Sequence, residues 1–126
     1  MNIPVDRKYT KDHEWVLIEG TQATMGITDF AQGELGDVVF VDLPPIGKVV
    51  KQKDVVCVVE STKAASDVYA PISGKIASTN AALTEAPETV NQDPYGKGWM
   101  AKLTDITVAD AESLLTAEQY KILIKA

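Results

Sequence analysis

Several residue types that carry enzyme chemistry are scarce in this chain of 126 residues, which contains one cysteine, one histidine and one arginine. The lone cysteine, Cys57, excludes an intrachain disulfide and a thiolate metal cluster, because both need more than one thiol. Cys57 also lies between valines in an apolar run. This context predicts a small buried residue rather than a reactive thiol.

The lone histidine, His13, shows no sequence link to a serine or cysteine nucleophile, and the scattered carboxylates have no recognisable metal-ligand spacing. Glycine-rich phosphate loops and dinucleotide-binding fingerprints are also missing. The sequence therefore predicts neither a stand-alone enzyme nor a metal site.

Positive charge and long apolar runs are scarce as well. Lysine and arginine total 12 against 18 acidic residues, for a net charge of −6, which disfavours binding to nucleic acid or to anionic membranes. The apolar run Val55–Val59 is far shorter than the roughly 20 residues of a membrane-spanning helix. Residues 1–6 lack signal-peptide and transit-peptide features. We expect a bacterial cytoplasmic protein, or a mitochondrial matrix protein if a presequence was removed.

The chain length fits one domain, residues 1–126, with a core at about 14–104 and a helical tail at about 107–125. The core is mainly β, because short stretches rich in β-branched and aromatic residues alternate with turn residues. The predicted strands cover residues 15–18, 22–25, 37–43, 55–60, 67–70 and 99–103. Residues 84–98 are predicted to form a loop.

Helix caps are predicted at three places. Asp29 with Gln32 suggests a capping box for one short internal helix that ends at Gly33. Thr107 with Asp110, and Thr116 with Gln119, suggest caps for two helices of the tail. The tail is expected to pack an apolar stripe on the β-core, formed by Leu114, Leu115, Tyr120 and Leu123.

Lys63 is the candidate functional residue. It lies in the connection Ser61–Ser66 between two predicted strands, and its neighbours are small. We therefore expect Lys63 at the exposed tip of a hairpin, where a modifying enzyme can reach its amine. A lysine in a turn is most often only a solubilising surface residue, so this position alone does not assign a function.

The segment Glu60–Pro71 resembles the lipoyl-attachment hairpin of the glycine cleavage H-protein family. Further matches to that family run along nearly the whole chain, in residues 9–16, 26–32, 35–44, 91–99 and 114–120. Thr62 stands where many family members carry valine, a variation that leaves the lysine in place. Several independent motifs in family order make the resemblance specific.

The resemblance implies a barrel-sandwich hybrid of two antiparallel sheets, like that of lipoyl and biotinyl carriers, with a short internal helix and a C-terminal helical tail. It implies lipoate bound covalently to Lys63 as lipoyl-lysine. It further implies a carrier, not an enzyme, that takes the aminomethyl group of glycine from glycine decarboxylase (the P-protein) to aminomethyltransferase (the T-protein). Dihydrolipoyl dehydrogenase (the L-protein) then reoxidises the arm, and a lipoate ligase or lipoyl/octanoyl transferase attaches it. We expect a monomer.

Two acids are candidate residues of the cleft that shelters the loaded arm in this family. Glu14 matches the glutamate of the His-Glu-Trp motif, and Asp67 lies near the root of the arm. A carboxylate in such a cleft would pair with the ammonium of the cargo. His13 is expected to form part of the cleft wall or to serve structure rather than proton transfer.

Other carriers put a lysine on the same kind of hairpin. Biotin domains typically have methionine on both sides of the lysine, whereas Thr62 and Ala64 stand here. Lipoyl domains of 2-oxoacid dehydrogenases are usually joined to a catalytic domain by an Ala/Pro-rich linker, and this chain shows none. A protein that relays lipoyl groups to other enzymes, and an unmodified binding module, remain open alternatives.

Overall fold

The computed structural model describes all residues, 1–126. Its strands are β1 (Lys8–Tyr9), β2 (Glu14–Glu19), β3 (Gln22–Ile27), β4 (Val38–Asp42), β5 (Val49–Val50), β6 (Val55–Ser61), β7 (Ala65–Tyr69), β8 (Gly74–Thr79) and β9 (Ala101–Thr104). Its helices are α1 (Asp29–Leu35), α2 (Ala82–Glu85), α3 (Thr89–Gln92), a 3₁₀ helix (Val108–Ser113) and α4 (Ala117–Ile124). No helix has the length and apolar character needed to cross a membrane.

The strands form two sheets in which every pairing is antiparallel, so the predicted fold class is confirmed. A six-stranded sheet has the order β1-β2-β3-β9-β8-β5, and a three-stranded sheet has the order β4-β6-β7. Alternate side chains of both sheets point to a shared core of 16 buried residues, which includes Met25, Val59, Val68 and Leu103. The core fixes the hairpin β6–β7 against the rest of the molecule.

Helix α1 begins one residue earlier and ends later than the sequence predicted. Its cap is Thr28, whose hydroxyl accepts a hydrogen bond from the Ala31 amide, whereas Asp29 accepts one from the Gln32 side chain. Gly33 lies inside the helix, and the chain leaves the helix at Gly36, whose φ of +78° suits glycine. The predicted capping box at Asp29 and the predicted stop at Gly33 are therefore wrong.

The segment predicted as a loop, residues 84–98, contains the second half of α2 and all of α3. Each is a helix of four residues that buries one apolar side chain, Leu83 in α2 and Val90 in α3. The last strand begins at Ala101 rather than at Trp99. Single-turn helices of this kind show no periodic pattern in sequence, because one turn places only one residue in the core.

The C-terminal tail matches its prediction in part. The Thr116–Gln119 capping box is present and begins α4, but Thr107 makes no side-chain cap and the segment after it is a 3₁₀ helix. Tyr120 is fully buried, whereas Leu123 is 46% exposed, so the predicted apolar stripe is wrong at Leu123. Ala117 and Ile124 pack instead in a smaller apolar cluster, separate from the 16-residue core, that contains Tyr9 and Trp15.

Candidate functional site

The β6–β7 hairpin holds Lys63 at its tip, as predicted from the sequence. The Ser61 hydroxyl accepts hydrogen bonds from the amides of Lys63 and Ala64, each at 3.2 Å, and the Ser61 amide donates to the Ala64 carbonyl at 2.8 Å. The Thr62 amide donates to the Asp37 carbonyl at 3.0 Å and anchors the turn to the start of β4. The turn is thus held by its own hydrogen bonds while the Lys63 side chain is exposed.

The Lys63 side chain lies across the end of α1. A Cβ atom built on Gly36 would lie 3.3 Å from Lys63 Cε and 3.8 Å from Lys63 Nζ. The absence of a side chain at Gly36 therefore gives the lysine a path over the helix terminus. The two residues that precede Gly36, Glu34 and Leu35, line a cleft that begins at the same place.

This cleft has a volume of about 170 Å³ and lies between α1, the turn before β2, and β7. We call it the arm cleft. Ile27, Leu35 and Val68 supply apolar walls, so the cleft can accept a short aliphatic chain. Its charged lining is entirely acidic and consists of Asp12, Glu14, Glu34 and Asp67. Lys63 and both candidate cleft residues from the sequence are therefore grouped around one helix end.

Glu14 is the first residue of β2 and is only 1% exposed. Its carboxylate accepts hydrogen bonds from the Thr10 hydroxyl and, at 3.1 Å, from the Tyr69 amide of β7. Burial raises the pKa of Glu14 from 4.5 to about 7, against the opposing effect of those two hydrogen bonds. A buried carboxylate with this pKa is poised to become fully ionised when a cation arrives beside it.

A second, larger cavity of about 370 Å³ lies on the other side of Glu14. Tyr9, Gln52, Tyr69 and Leu115 contribute to its lining, so it lies between the two ends of the chain and the end of β7. Glu14 is thus a wall shared by two cavities, and only the smaller one adjoins the helix end where Lys63 lies.

Asp67 and His13 complete the site in different ways. Asp67 is exposed on β7, opposite Val58, and lines the arm cleft. His13 also lines the cleft, as expected, and its ring lies 4.7 Å from that of Phe30 in α1. His13 has a φ of +68°, an uncommon backbone conformation for a residue other than glycine.

Sequence reasoning did not find Asp12, Glu34 or Gly36 as residues of the site. Asp12 and Glu34 are two exposed acids among 18 in the chain, so only their position in space distinguishes them. Gly36 did carry a signal, because a glycine shortly after a helix often adopts positive φ. The sequence pattern predicts the helix end at Gly33 instead.

The remaining chemistry-bearing groups lie elsewhere. Cys57 is 3% exposed and its thiol contacts Met100 Sδ at 3.6 Å, which confirms the predicted small buried residue. Burial raises the pKa of the Cys57 thiol to about 12. No group of three or more histidine, cysteine, aspartate or glutamate side chains is arranged to hold a metal ion.

Comparison with known proteins gives one consistent result. The family model described as Glycine cleavage H-protein matches residues 7–126. The chain is 52% identical to the glycine cleavage system H protein of Thermus thermophilus over 126 residues, which cover 100% of this chain and 98% of that protein. It is 48% identical to the protein of the same name from Carboxydothermus hydrogenoformans over 123 residues, which cover 98% and 95% of the two chains.

A solved structure agrees with these relatives. The crystal structure of a glycine cleavage system H protein from Mycobacterium marinum superposes with a TM-score of 0.89 at 40% sequence identity. The match covers 98% of this chain and 100% of that one. The likeness therefore extends over the arm cleft and both sheets.

Proposed function

The chain belongs to the glycine cleavage H-protein family, and on that premise we propose that it carries the aminomethyl group of glycine on a lipoyl group bound in amide linkage to Lys63. The observation that carries the proposal is the position of Lys63. Its exposed side chain lies over Gly36, at the helix end where the arm cleft begins. Biotin carriers also use a hairpin lysine, but the family match runs along the whole chain.

The residues around Lys63 fit such a group. Thr62, Ala64 and Ala65 are exposed and small, so an attaching enzyme reaches the lysine amine without obstruction. The apolar walls of the arm cleft suit the aliphatic chain, and its acids suit a cationic end. When bound, the lipoyl group supplies the sulfur to which the aminomethyl unit is attached.

Glu14 and Asp67 have the task of holding the cargo. A primary amine is protonated at neutral pH, and a carboxylate beside it forms a charge-assisted hydrogen bond. Glu14 is fixed by Thr10 and Tyr69, so it offers this bond from a rigid position that excludes bulk water. Exclusion of water slows hydrolysis of a carbon attached to both nitrogen and sulfur.

The protein itself catalyses no step in this proposal. It presents the arm in turn to glycine decarboxylase, aminomethyltransferase and dihydrolipoyl dehydrogenase, after a lipoate ligase or a lipoyl/octanoyl transferase has modified Lys63. We place this exchange in a bacterial cytoplasm, because the curated relatives come from bacteria. Exposed acids near Lys63, such as Glu60 and Asp67, are available to partner surfaces of opposite charge.

Attachment is tested by intact mass and peptide mapping of protein produced together with a lipoate ligase and excess lipoate. We expect one lipoyl increment, on Lys63, that is lost in Lys63→Arg, which keeps the charge but not the nucleophilic amine. Lys53→Arg is the matched control, since Lys53 is another exposed lysine in a turn, and it should keep the increment. An unmodified Lys63, where a known lipoyl domain is fully modified, would refute the proposal.

The role of the cleft is tested on the loaded form, prepared with a glycine decarboxylase. We expect Glu14→Gln to leave lipoylation intact and to speed release of the cargo about tenfold, which corresponds to loss of one charged hydrogen bond. Glu19→Gln, at the exposed end of the same strand, should release the cargo at the wild-type rate. Equal release rates for wild type, Glu14→Gln and Glu19→Gln would show that Glu14 does not hold the cargo.

A further inference from the structure

The single histidine of the chain is connected to the C-terminal helix by a short hydrogen-bond chain. His13 Nδ1 lies 2.8 Å from Tyr120 Oη, and Tyr120 Oη lies 2.8 Å from Thr28 Oγ1. Thr28 Oγ1 also accepts a hydrogen bond from the Ala31 amide at 3.1 Å, as the cap of α1. These hydrogen bonds therefore join α4, the start of α1 and the wall of the arm cleft.

Counting donors and acceptors determines which group donates its proton in each of these hydrogen bonds. Thr28 is fully buried, and its hydroxyl contacts only the Ala31 amide, which is a donor, and Tyr120 Oη. The Thr28 proton must therefore go to Tyr120, because a buried hydroxyl without an acceptor is costly. The Tyr120 proton then goes to His13 Nδ1, and the imidazole carries its own proton on Nε2.

Because Tyr120 donates to His13 Nδ1, this arrangement opposes protonation of the His13 imidazole. A proton on Nδ1 would face the Tyr120 hydroxyl and leave the Tyr120 proton without an acceptor at a fully buried residue. Burial acts in the same sense and lowers the pKa of His13, whereas the nearby Asp12 and Glu34 carboxylates raise it. Burial also raises the pKa of Tyr120 to about 12, so the phenol keeps its proton.

The backbone of His13 indicates that this placement is imposed by tertiary contacts. Its φ of +68° is sparsely populated by residues with a side chain, and such conformations persist where the surroundings require them. The Thr28 amide donates to the His13 carbonyl at 3.0 Å, and the Phe30 ring packs against the imidazole. Ring and backbone are thus held from α1 and from α4 together.

We propose that Tyr120 is a positioning residue, which holds His13 neutral and protonated on Nε2 at the wall of the arm cleft. This inference rests on the proposed function, because its consequence concerns the cargo. An imidazolium at that wall would pair with the acids that face it, Asp12 and Glu14 on its own turn and strand, Glu34 on α1 and Asp67 on β7. A neutral His13 leaves those carboxylates free for the ammonium of the cargo.

The test uses Tyr120→Phe, which keeps the ring and its stacking on Tyr9 at 4.8 Å but removes the hydroxyl. Tyr9→Phe is the matched control, since it removes the other buried hydroxyl of the stacked pair, which donates to the Pro4 carbonyl. Nitrogen NMR of the unmodified full-length protein reports the tautomer without ambiguity, because the chain has one histidine.

We expect wild type and Tyr9→Phe to show the Nε2–H tautomer with the same titration midpoint for His13. Tyr120→Phe should show mixed tautomers and a midpoint raised by roughly half a pH unit or more, as expected from the loss of one hydrogen bond. A wild-type ring protonated on Nδ1, or a Tyr120→Phe spectrum identical to that of wild type, would overturn the proposal.

The consequence is measured on the lipoylated, loaded protein. Tyr120→Phe should release the cargo roughly twofold or more faster than wild type at the His13 midpoint of the variant, where half of the variant but a smaller fraction of wild type carries the imidazolium, and Tyr9→Phe should not. Equal release rates would overturn the link to the cargo. The tautomer result stands whether or not Lys63 is lipoylated, so failure of the proposed function and failure of this inference are separate outcomes.

Discussion

Glu14 shows how one residue can serve a site at the expense of stability. It is 1% exposed, and its carboxylate has a Thr10 hydroxyl and a Tyr69 amide as partners but no cation. Burying a carboxylate without a cation disfavours its charged form, which is why the pKa rises to about 7. No lysine or arginine of the chain forms an ion pair with Glu14, so its carboxylate is available to a cationic cargo of the kind proposed above.

The pH dependence of stability follows from that pKa. The folded-state pKa of about 7 lies above the unfolded value of 4.5, so the contribution of Glu14 to stability is fully present below pH 4.5 and is lost as pH rises through 7. Glutamine does not ionise, so Glu14→Gln does not lose stability in this way as the pH rises. We expect the stability of the variant relative to wild type to increase by on the order of 3 kcal/mol between pH 4 and pH 8.

Urea denaturation of both proteins across that pH range measures the difference. Glu19→Gln is the control, because this exposed acid on the same strand should change the stability equally little at every pH. A stability difference between Glu14→Gln and wild type that stays constant with pH would show that Glu14 is not raised in pKa.

Gly36 is the second residue with an individual role. Its φ of +78° and ψ of −157° belong to a region that is essentially restricted to glycine, and a Cβ there would crowd Lys63 Cε. We expect Gly36→Ala to lower the free energy of unfolding by about 1–3 kcal/mol.

Gly33→Ala is the matched control. A Cβ at Gly33 meets no atom within 4 Å in a helix interior, so this change should raise stability by up to about 1 kcal/mol, as measured by urea denaturation. Equal changes in stability for Gly36→Ala and Gly33→Ala would contradict these different roles of the two glycines.

Among the secondary-structure elements, the two segments of the tail differ although their cap sequences look alike. Thr116 accepts a hydrogen bond from the Gln119 amide at 3.2 Å, and Gln119 Oε1 accepts one from the Thr116 amide at 2.9 Å. After Thr107, by contrast, the Asp110 carboxylate accepts a hydrogen bond from the Ser73 amide at 2.9 Å. Asp110 is thereby used to fix the 3₁₀ helix to the β-core instead of closing a capping box.

A pair of substitutions separates these two roles. Thr116→Ala should lower the free energy of unfolding by about 1 kcal/mol, because it leaves a helix amide without its partner. Thr107→Ala should change it by less than about 0.5 kcal/mol, since the Thr107 side chain makes no cap. Thermal or urea denaturation measures both, and a larger loss for Thr107→Ala would contradict the assignment.

At the scale of the whole molecule, the charge distribution leaves little room for stabilising ion pairs. The net charge is −6, and the two salt bridges, Arg7–Asp6 and Lys121–Glu118, each involve an exposed acid. Pairs of this kind contribute little. The chain ends are instead joined by apolar and backbone contacts, with Tyr9 and Leu115 exchanging two hydrogen bonds of 2.8 Å.

Salt should therefore stabilise this protein. Raising the ionic strength from roughly 0.05 M to 0.5 M screens repulsion among the excess acids and weakens no important ion pair, so we expect the melting temperature to rise. The double variant Glu85→Gln and Glu88→Gln removes two exposed charges and should show a smaller rise. A melting temperature that falls with salt would mean that attractive pairs dominate.

Local features of this protein could be read from its sequence because their causes are local. The Thr116–Gln119 cap depends on contacts within one turn, and the hairpin around Lys63 depends on alternating strands joined by small residues. The antiparallel fold class and the family followed from the same segments. The predictions at Gly33 and Thr107 were wrong where distant residues contribute, because Asn91 donates to the Gly36 carbonyl at the end of α1 and the Ser73 amide donates to Asp110.

The sequence by itself determined six of the nine strands, the exposed lysine and the family. Only the tertiary structure decided that Glu14 is buried, because its partner Tyr69 lies 55 residues away, and that His13 is tied to Tyr120, 107 residues away. It also decided that Lys63 crosses Gly36 into the neighbourhood of the arm cleft. Residues so distant in the chain meet only when the core packs, and burial and pKa depend on that packing rather than on sequence neighbours.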